Sequence, residues 1–224
     1  MSGWSGLARR NARRTFRDRR EAGQVLAEEL ASYRGKDDLL VLGLARGGVP
    51  VGWEVASYLR APLDVFLVRK LGVPQWEELA MGAIATGGIR VLSADVVSWF
   101  EISDAVIEAV AHEEQAELER RERAYRGGRG PVELRDHVVI LVDDGLATGA
   151  TMRAAVAAAR RSAPARVVVA VPVGSPGTCA DLAAQVDEVV CLWAPESFSA
   201  VGQGYVAFGD TDDDEVREAL GRRA

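Results

Sequence analysis

The residues whose types and spacing could do chemistry are two adjacent carboxylates and the loop after them. Asp143 and Asp144 follow the apolar run 138–142 and precede a loop of glycine, threonine and alanine that ends at Thr151. An apolar run rich in valine and isoleucine predicts a strand buried on both faces. The alanine-rich segment from Met152 to Arg161 predicts a helix. The loop should therefore lie at the carboxyl end of a parallel strand, where open α/β sheets bind ligands.

This loop has the composition of an anion-binding site. Backbone N–H groups, the positive end of the helix dipole and the hydroxyls of Thr148 and Thr151 could hold a phosphate. Gly145 and Gly149 would allow sharp turns and close approach of the ligand. No Gly-Lys-Ser/Thr follows, so the loop is not a Walker A sequence. A sugar phosphate would satisfy both the loop and the two aspartates, which could accept hydrogen bonds from ribose hydroxyls or approach a metal. An ordinary strand–turn–helix with solvated aspartates is the alternative interpretation.

Residues 138–151 resemble the 5-phosphoribosyl-1-pyrophosphate (PRPP) signature of the type I phosphoribosyltransferases. That signature is a hydrophobic strand, two acidic residues, glycine, an apolar pair, Thr-Gly and Thr, and the chain matches every defining position. The resemblance implies that Asp143 and Asp144 are the catalytic carboxylates and lie near a Mg²⁺ ion, directly or through water. It implies that the 5-phosphate of PRPP is bound by Gly145, Leu146, Ala147, Thr148, Gly149, Ala150 and Thr151.

A second glycine-containing loop follows the predicted strand Leu39–Leu44. A dinucleotide-binding fold could also have such a loop, but it requires an acidic residue at the end of the next strand. This chain has Arg69 and Lys70 there. A preference for NADP could explain the basic pair, but no dinucleotide-binding fold explains residues 143–151. In the type I family the corresponding loop binds pyrophosphate, and Arg46 would add a permanent bidentate charge. The resemblance implies this role for Ala45, Arg46, Gly47 and Gly48, and a tight glycine turn is the alternative.

Lys70 is the further cation expected to bind pyrophosphate. The family has an Arg or Lys at the end of its second core strand, which we predict here as Leu63–Val68. Neighbouring residues of a strand point to opposite faces, so only one of Arg69 and Lys70 should enter the site. We favour Lys70 because it adjoins the loop Gly72–Glu78. A solvated strand end is the alternative.

The resemblance also implies a lid and a hood around the site. In the superfamily the region matching Gly72–Glu78 is a flexible lid that closes over PRPP and excludes water, and Trp76 and Glu78 could act in it. The alternatives are a partly buried anchor for Trp76 and a solvated or loop-capping residue for Glu78. A variable hood recognises the acceptor, and we expect it mainly over residues 193–210. Aromatic faces can stack a planar base, which makes Phe198 and Tyr205 the acceptor-binding candidates. Trp193, Phe208 and Phe16 are further hood material, and these rings could instead pack a small core.

Composition and charge favour a single α/β domain with no membrane or nucleic-acid partner. A chain of 224 residues with 48% hydrophobic content can bury one sizeable core. Alternating helix and strand signals favour a mostly parallel sheet flanked by helices, with a small hood. No uninterrupted apolar stretch approaches membrane-spanning length, and we find no signal-peptide h-region at the N-terminus. Cys179 and Cys191 lack metal-site or redox spacing and are typical of buried thiols in a reducing cytosol.

The arginine-rich start stands apart from the acidic remainder of the chain. We assign residues 1–15 to an extension and residues 16–224 to the phosphoribosyltransferase-like domain. Four arginines of the extension could contact RNA, an anionic membrane or an acidic face of a second subunit: Arg9, Arg10, Arg13 and Arg14. A frayed, solvated extension is the interpretation we prefer. The remainder is poor in aromatic residues and does not favour nucleic-acid binding.

Features outside the PRPP signature resemble an uncharacterised branch of predicted phosphoribosyltransferases. They include Phe16-Arg-Asp-Arg19, Leu-Ala-Arg-Gly-Gly-Val-Pro, Val-Arg-Lys-Leu-Gly, Glu-Leu-Ala-Met-Gly-Ala and the stretch from Phe198 to Phe208. We therefore expect a cytoplasmic, Mg²⁺-dependent and dimeric enzyme that transfers ribose 5-phosphate from PRPP to a nitrogen acceptor, with a nucleobase as first candidate. The alternative is a non-catalytic PRPP- or nucleotide-binding regulator on the same fold.

Overall fold

The structure is a computed structural model and describes residues 15–74 and 76–221, without the side chains of Glu77 and Glu78. The arginines at positions 9, 10, 13 and 14 and the proposed role of the Glu78 side chain lie outside this part of the chain. Among the described residues, no helix combines the length and the apolar character needed to span a bilayer.

A five-stranded parallel sheet forms the centre of the fold. Its strands are β1 (Leu39–Leu44), β2 (Leu63–Phe66), β6 (Val138–Val142), β7 (Arg166–Val173) and β8 (Glu188–Trp193). They are arranged in the order β2-β1-β6-β7-β8, and every neighbouring pair is parallel. All residues of β1 and β6 are buried, which confirms the two strands predicted from continuous apolar runs.

Helices cover both faces of this sheet. Helices α1 (Arg19–Glu29) and α2 (Gly48–Leu59) lie on one face, where Leu26 and Val55 share a core with Ile140. Helices α5 (Ala150–Arg161) and α6 (Pro176–Ala183) lie on the other, where Met152 and Leu182 share a core with Leu141. The prediction of an α/β fold with a mostly parallel sheet flanked by helices is confirmed.

A second, antiparallel sheet follows β2 along the chain. It consists of β3 (Val68–Val73), β4 (Trp76–Ala85) and β5 (Ile89–Leu92), in that order. Three helices accompany it: α3 (Ala94–Trp99), α4 (Asp104–Arg126) and α7 (Asp213–Gly221). Leu71 and Met81 of this sheet share an apolar core with Leu118 of α4 and Val216 of α7. The helix α3 was not predicted from the sequence.

The predicted strand Leu63–Val68 is confirmed over Leu63–Phe66, but its end is wrong, because two strands of different sheets meet within it. β2 ends at Phe66, and Leu67 makes two hydrogen bonds with Thr86 outside the parallel sheet. The Leu67 amide donates to Thr86 Oγ1 at 2.9 Å, and the Thr86 amide donates to the Leu67 carbonyl at 2.9 Å. The chain therefore leaves the parallel sheet at Leu67. As a consequence, Lys70 lies inside β3, paired with Ala83, and not at the carboxyl end of β2.

The predicted loop Gly72–Glu78 is also wrong, because most of it belongs to a β-hairpin. β3 continues to Val73 and β4 begins at Trp76, and these two residues are paired across the hairpin. Leu71 and Val73 are both buried, as the two-residue period of a strand requires. Residues Gly82–Ala85 of β4 pair in turn with Ile89–Leu92 of β5 in a second hairpin.

The carboxyl-terminal part of the expected hood is joined to the start of the described chain. The Phe16 amide donates to the Gly204 carbonyl at 2.8 Å, and the Val206 amide donates to the Phe16 carbonyl at 2.8 Å. Phe16 and Tyr205 are buried together with Val173 of β7. Residues from both ends of the described chain are thus brought beside the carboxyl end of β7.

Candidate functional site

The two predicted loops meet at the carboxyl edge of the parallel sheet. They follow β1 and β6, which are neighbouring parallel strands. A Cβ atom built on Gly47 would lie 2.1 Å from Asp144 Oδ2, and one built on Gly48 would lie 2.4 Å from the Val142 carbonyl oxygen. Because no side chain fits at either position, glycine is required for the loops to approach each other. The structure brings Ala45–Gly48 and the two aspartates into one site.

Hydrogen bonds to β7 and α6 hold the loop from Gly145 to Gly149. The Leu146 amide donates to the Val173 carbonyl at 2.9 Å, and the Ser175 amide donates to the Leu146 carbonyl at 2.8 Å. Thr178 Oγ1 donates to the Ala147 carbonyl at 2.8 Å. The loop is therefore fixed before any ligand binds.

The two glycines of this loop are required by its close packing. A Cβ atom on Gly145 would lie 2.5 Å from Val201 Cγ1, and one on Gly149 would lie 2.4 Å from Thr178 Cγ2. Gly149 also has a φ of +70°, in the left-handed region that favours glycine. Helix α5 begins at the next residue, and the N–H groups of a first helical turn have no partners within the helix. Thr148 and Thr151 are exposed here, so the threonine hydroxyls and these N–H groups can receive a phosphate.

The two carboxylates are half-buried and influence each other. The Asp144 amide donates to Asp143 Oδ1 at 2.9 Å. Burial raises the pKa of Asp143 well above its usual value, and the neighbouring Asp144 carboxylate raises it further. Burial also raises the pKa of Asp144, although the Arg19 guanidinium opposes that rise. The site would therefore gain from a ligand that brings positive charge or hydrogen-bond donors.

Arg19 is a site residue whose contacts were not predicted from the sequence. Its Nε and Nη2 atoms each lie 2.8 Å from Asp144 Oδ2. Its Nη1 donates to the Gly209 carbonyl at 2.6 Å, and its guanidinium carbon lies 4.2 Å from the centroid of the Phe208 ring. The Phe16–Arg19 motif indicates that Arg19 belongs to a family feature, but nothing in the motif indicates that its partner, Asp144, lies 125 residues away.

The three basic candidates for pyrophosphate binding have different environments. Arg46 is exposed, and its Nη1 lies 3.8 Å from Asp213 Oδ1. Arg69 is paired with Glu114 at 2.5 Å and is thereby directed to α4. Lys70 is exposed on β3, and no hydrogen bond or ion pair joins it to the described residues of the two loops. The Arg46 side chain therefore lies beside Asp213, next to the loop residue Gly47, and the pyrophosphate-binding roles of Arg46 and Lys70 both stay predictions.

The aromatic candidates mostly pack the hood. Tyr205 is buried, with its ring centroid 6.0 Å from Phe16 and 4.9 Å from Phe208. Its hydroxyl donates to the Asp144 carbonyl at 2.6 Å. Phe198 and Trp193 are half-buried against the same cluster. Tyr205 therefore has the packing role that was the alternative to base stacking, and it also supports the backbone of Asp144.

A phosphoribosyl transferase domain model matches residues 19–203. The chain belongs to this family. Two Mycobacterium tuberculosis proteins, from strains H37Rv and CDC 1551, carry the provisional name phosphoribosyl transferase and are each 50% identical over 207 residues. The match covers 92% of this chain but 46% of each relative, so the chain spans about half the length of the curated relatives it matches. The resemblance that the PRPP signature indicated is confirmed.

A solved structure supports the fold. The crystal structure of the protein TT1426 from Thermus thermophilus is 44% identical, with a TM-score of 0.82. The match covers 92% of this chain and 97% of that chain. The fold is therefore shared with that protein over most of both chains.

Proposed function

We propose that the chain is a phosphoribosyltransferase that transfers ribose 5-phosphate from PRPP to a nitrogen acceptor, with a nucleobase as the first candidate, and releases pyrophosphate. The observation that carries the proposal is the close approach of Gly47 to the Asp144 carboxylate. This approach brings three features to one edge of the sheet: the loop Ala45–Gly48 with Arg46, the pair of carboxylates, and the loop 145–151, which we propose binds phosphate. A ligand with a pyrophosphate, a ribose and a 5-phosphate has one group for each of these features.

Each part of the site has a separate role in the proposed reaction. Residues 145–151 bind the 5-phosphate, and Ala45–Gly48 bind the pyrophosphate with Arg46 as the charged group. Asp143 and Asp144 accept hydrogen bonds from ribose hydroxyls and stabilise the positive charge that develops at the anomeric carbon. The acceptor nitrogen forms the new bond to that carbon while the carbon–oxygen bond to pyrophosphate breaks and pyrophosphate keeps the electron pair. Positioning and electrostatics thus supply the catalysis.

The two carboxylates fit a Mg²⁺ ion bound with few protein ligands. Carboxylate oxygens are ligands that Mg²⁺ prefers, and it commonly keeps several waters and binds substrate phosphates. Among residues 15–74 and 76–221, no group of three or more His, Cys, Asp or Glu side chains could hold a metal. We propose that Asp143 and Asp144 hold the ion directly or through water. When bound, the ion supplies positive charge to the leaving pyrophosphate.

The experiment that tests the proposal combines binding with turnover. We expect the protein to bind PRPP in calorimetry and to release pyrophosphate, in a Mg²⁺-dependent manner, with a member of a broad panel of bases and amines. Arg46→Met should weaken pyrophosphate about tenfold to a hundredfold, the equivalent of ~1.5–3 kcal/mol for one charge-assisted contact. Ribose 5-phosphate, which has no pyrophosphate group, should keep its affinity.

Arg161→Met is the matched control for Arg46→Met. Arg161 is exposed in the last turn of α5, about 18 Å from the loop by the rise of a 12-residue helix. Its loss should leave both affinities unchanged. If the protein fails to bind PRPP, the proposal is wrong. If it binds PRPP tightly but gives no turnover with any acceptor, the non-catalytic regulator replaces the enzyme.

A further inference from the structure

Arg19 occupies a rigid position at the start of α1. The helix begins at this residue, and the Asp18 side chain caps it by accepting a hydrogen bond from the Glu21 amide at 2.9 Å. Close packing then fixes α1 on α2, because a Cβ atom on Gly23 would lie 2.8 Å from the Val51 carbonyl oxygen. The backbone of Arg19 is therefore held by the fold and not by the site.

The guanidinium of Arg19 links two parts of the site that are distant in sequence. Its Nε and Nη2 contact Asp144, and its Nη1 contacts the Gly209 carbonyl. One face of the group lies over the Phe208 ring, an arrangement that favours arginine over lysine. Only 15% of the side chain is exposed, so these contacts replace most of its water.

Both contacts of Arg19 with Asp144 are made to the same oxygen. Nε and Nη2 are each 2.8 Å from Oδ2, so Oδ1 receives no hydrogen bond from Arg19. Without this cation, Asp144 would face the like charge of Asp143 with no opposing group from α1. Arg19 therefore fixes the direction of the Asp144 carboxylate and leaves one of its oxygens for another donor.

We propose that Arg19 is a positioning residue that holds Asp144 for the ribose hydroxyls and fixes the hood segment 205–209 beside it. The inference rests on the proposed function, since it assigns ribose to Asp144. It predicts that loss of Arg19 weakens recognition of the sugar and lowers turnover. Recognition of pyrophosphate in the absence of Mg²⁺ should be spared, because it belongs to Ala45–Gly48. A residue that only stabilised the fold would weaken both ligands alike.

Arg19→Met and Arg20→Met test this selectivity as a matched pair. Arg20 is the next residue of the same helix, its ion pair is with Glu54, and 69% of its side chain is exposed. We expect Arg19→Met to weaken ribose 5-phosphate by about tenfold or more, as for loss of a charge-assisted contact, and pyrophosphate by less than about twofold. Arg20→Met should leave both ligands within about twofold. Equal losses for both ligands in Arg19→Met would overturn the inference.

A double-mutant cycle tests whether Arg19 acts through Asp144. In an Asp144→Asn background, Arg19→Met should cause little further loss of ribose 5-phosphate affinity, because the coupled partner is already gone. Additive losses would contradict the positioning role. Arg19→Lys, which keeps the charge but cannot make all three contacts, should lie between the wild type and Arg19→Met.

The two proposals can fail separately. If the wild type transfers ribose 5-phosphate and Arg19→Met behaves like Arg20→Met, the positioning role is wrong and the proposed function stands. If the wild type shows no turnover but the binding cycle gives the expected coupling, the positioning role stands for a binding protein. If the wild type binds neither ribose 5-phosphate nor pyrophosphate, both are wrong.

Discussion

Gly47 lies where any side chain would collide with a carboxylate. The built Cβ atom is 2.1 Å from Asp144 Oδ2, yet the φ of Gly47 is −59°, a value that other residues adopt without strain. The requirement for glycine at this position therefore comes from the site and not from the backbone. A substitution at Gly47 should therefore affect ligand binding more than stability. A substitution at Gly149 would also strain the backbone, because the φ of that residue is positive.

We expect Gly47→Ala to displace the Asp144 carboxylate and to weaken ribose 5-phosphate and PRPP by at least about tenfold, or ~1.4 kcal/mol. Calorimetric titration measures the affinity, and thermal unfolding should show a much smaller effect. Gly177→Ala in α6 is the control, since its Cβ atom would have no neighbour within 4 Å and alanine favours a helix by about 0.5–1 kcal/mol. Unchanged affinities in Gly47→Ala would contradict the geometry of the site.

The sequence predicted site residues that lie on one short segment and missed those that depend on tertiary contacts. Asp143 to Thr151 were identified because strand, loop and helix are contiguous and each has a local signal. Arg19 was missed because its partners lie 125 and 190 residues away. Likewise, no local pattern distinguishes a buried Tyr205 that supports Asp144 from an exposed ring that stacks on a base.

At the scale of elements, a buried ion pair joins α4 to β2. Arg126 Nε lies 3.0 Å from both carboxylate oxygens of Asp64, and its Nη2 donates to the Val65 carbonyl at 2.8 Å. The side chains are 2% and 9% exposed. Glu122 of the same helix contacts Nη1 at 2.9 Å. This cluster fixes the long helix against the edge strand of the parallel sheet.

Arg126→Met should destabilise the fold by about 3–5 kcal/mol, because it leaves the Asp64 carboxylate buried and uncompensated. Urea denaturation measures the loss as a lower midpoint at an unchanged slope. Arg120→Met is the matched control on the same helix, since its pair with Glu117 is 60% and 29% exposed. That change should lower the midpoint far less, because water screens an exposed ion pair. Similar losses in the two variants would show that the buried pair does not hold α4 to β2.

The errors at the scale of elements have one physical cause. Alternating or continuous apolar residues indicate an extended chain, but they do not identify the strand that pairs with it. The run from Leu63 to Val73 is extended almost throughout, and the chain changes sheets at Leu67. The strands β1 and β6 were located correctly because each is bounded by turn residues and followed by a helix.

At the scale of the whole molecule, the site depends on both ends of the described chain. Phe16 and Arg19 come from its start, Tyr205 and Gly209 from near its end, and hydrogen bonds join the two. In addition, the Tyr125 hydroxyl of α4 donates to Asp213 Oδ1 at 2.7 Å, and Arg46 contacts the same oxygen. A site assembled from such distant segments can form only when the whole domain is folded.

The chain contains two cysteines, Cys179 and Cys191, and both are buried beside Gly174. A Cβ atom on Gly174 would lie 2.8 Å from one sulfur and 3.4 Å from the other. Gly174 is bridged to Leu146 of the proposed phosphate-binding loop, and Thr178, next to Cys179, donates a hydrogen bond to the Ala147 carbonyl. A thiol reagent can reach these sulfurs only when this neighbourhood opens.

The rate at which the natural thiols react therefore measures how often this loop opens, and no added label is needed. Saturating PRPP should slow the reaction of Cys179 with a thiol-specific chromogenic reagent by a factor of one plus the ratio of ligand concentration to Kd, which is about a hundredfold at a ligand concentration a hundred times Kd. A Cys191→Ala variant isolates the signal of Cys179. Labelling as fast as that of a free thiol, or labelling indifferent to PRPP, would contradict this coupling. With the expected result, candidate acceptors could be ranked by how much each one slows the labelling of Cys179, before any of them is known to react.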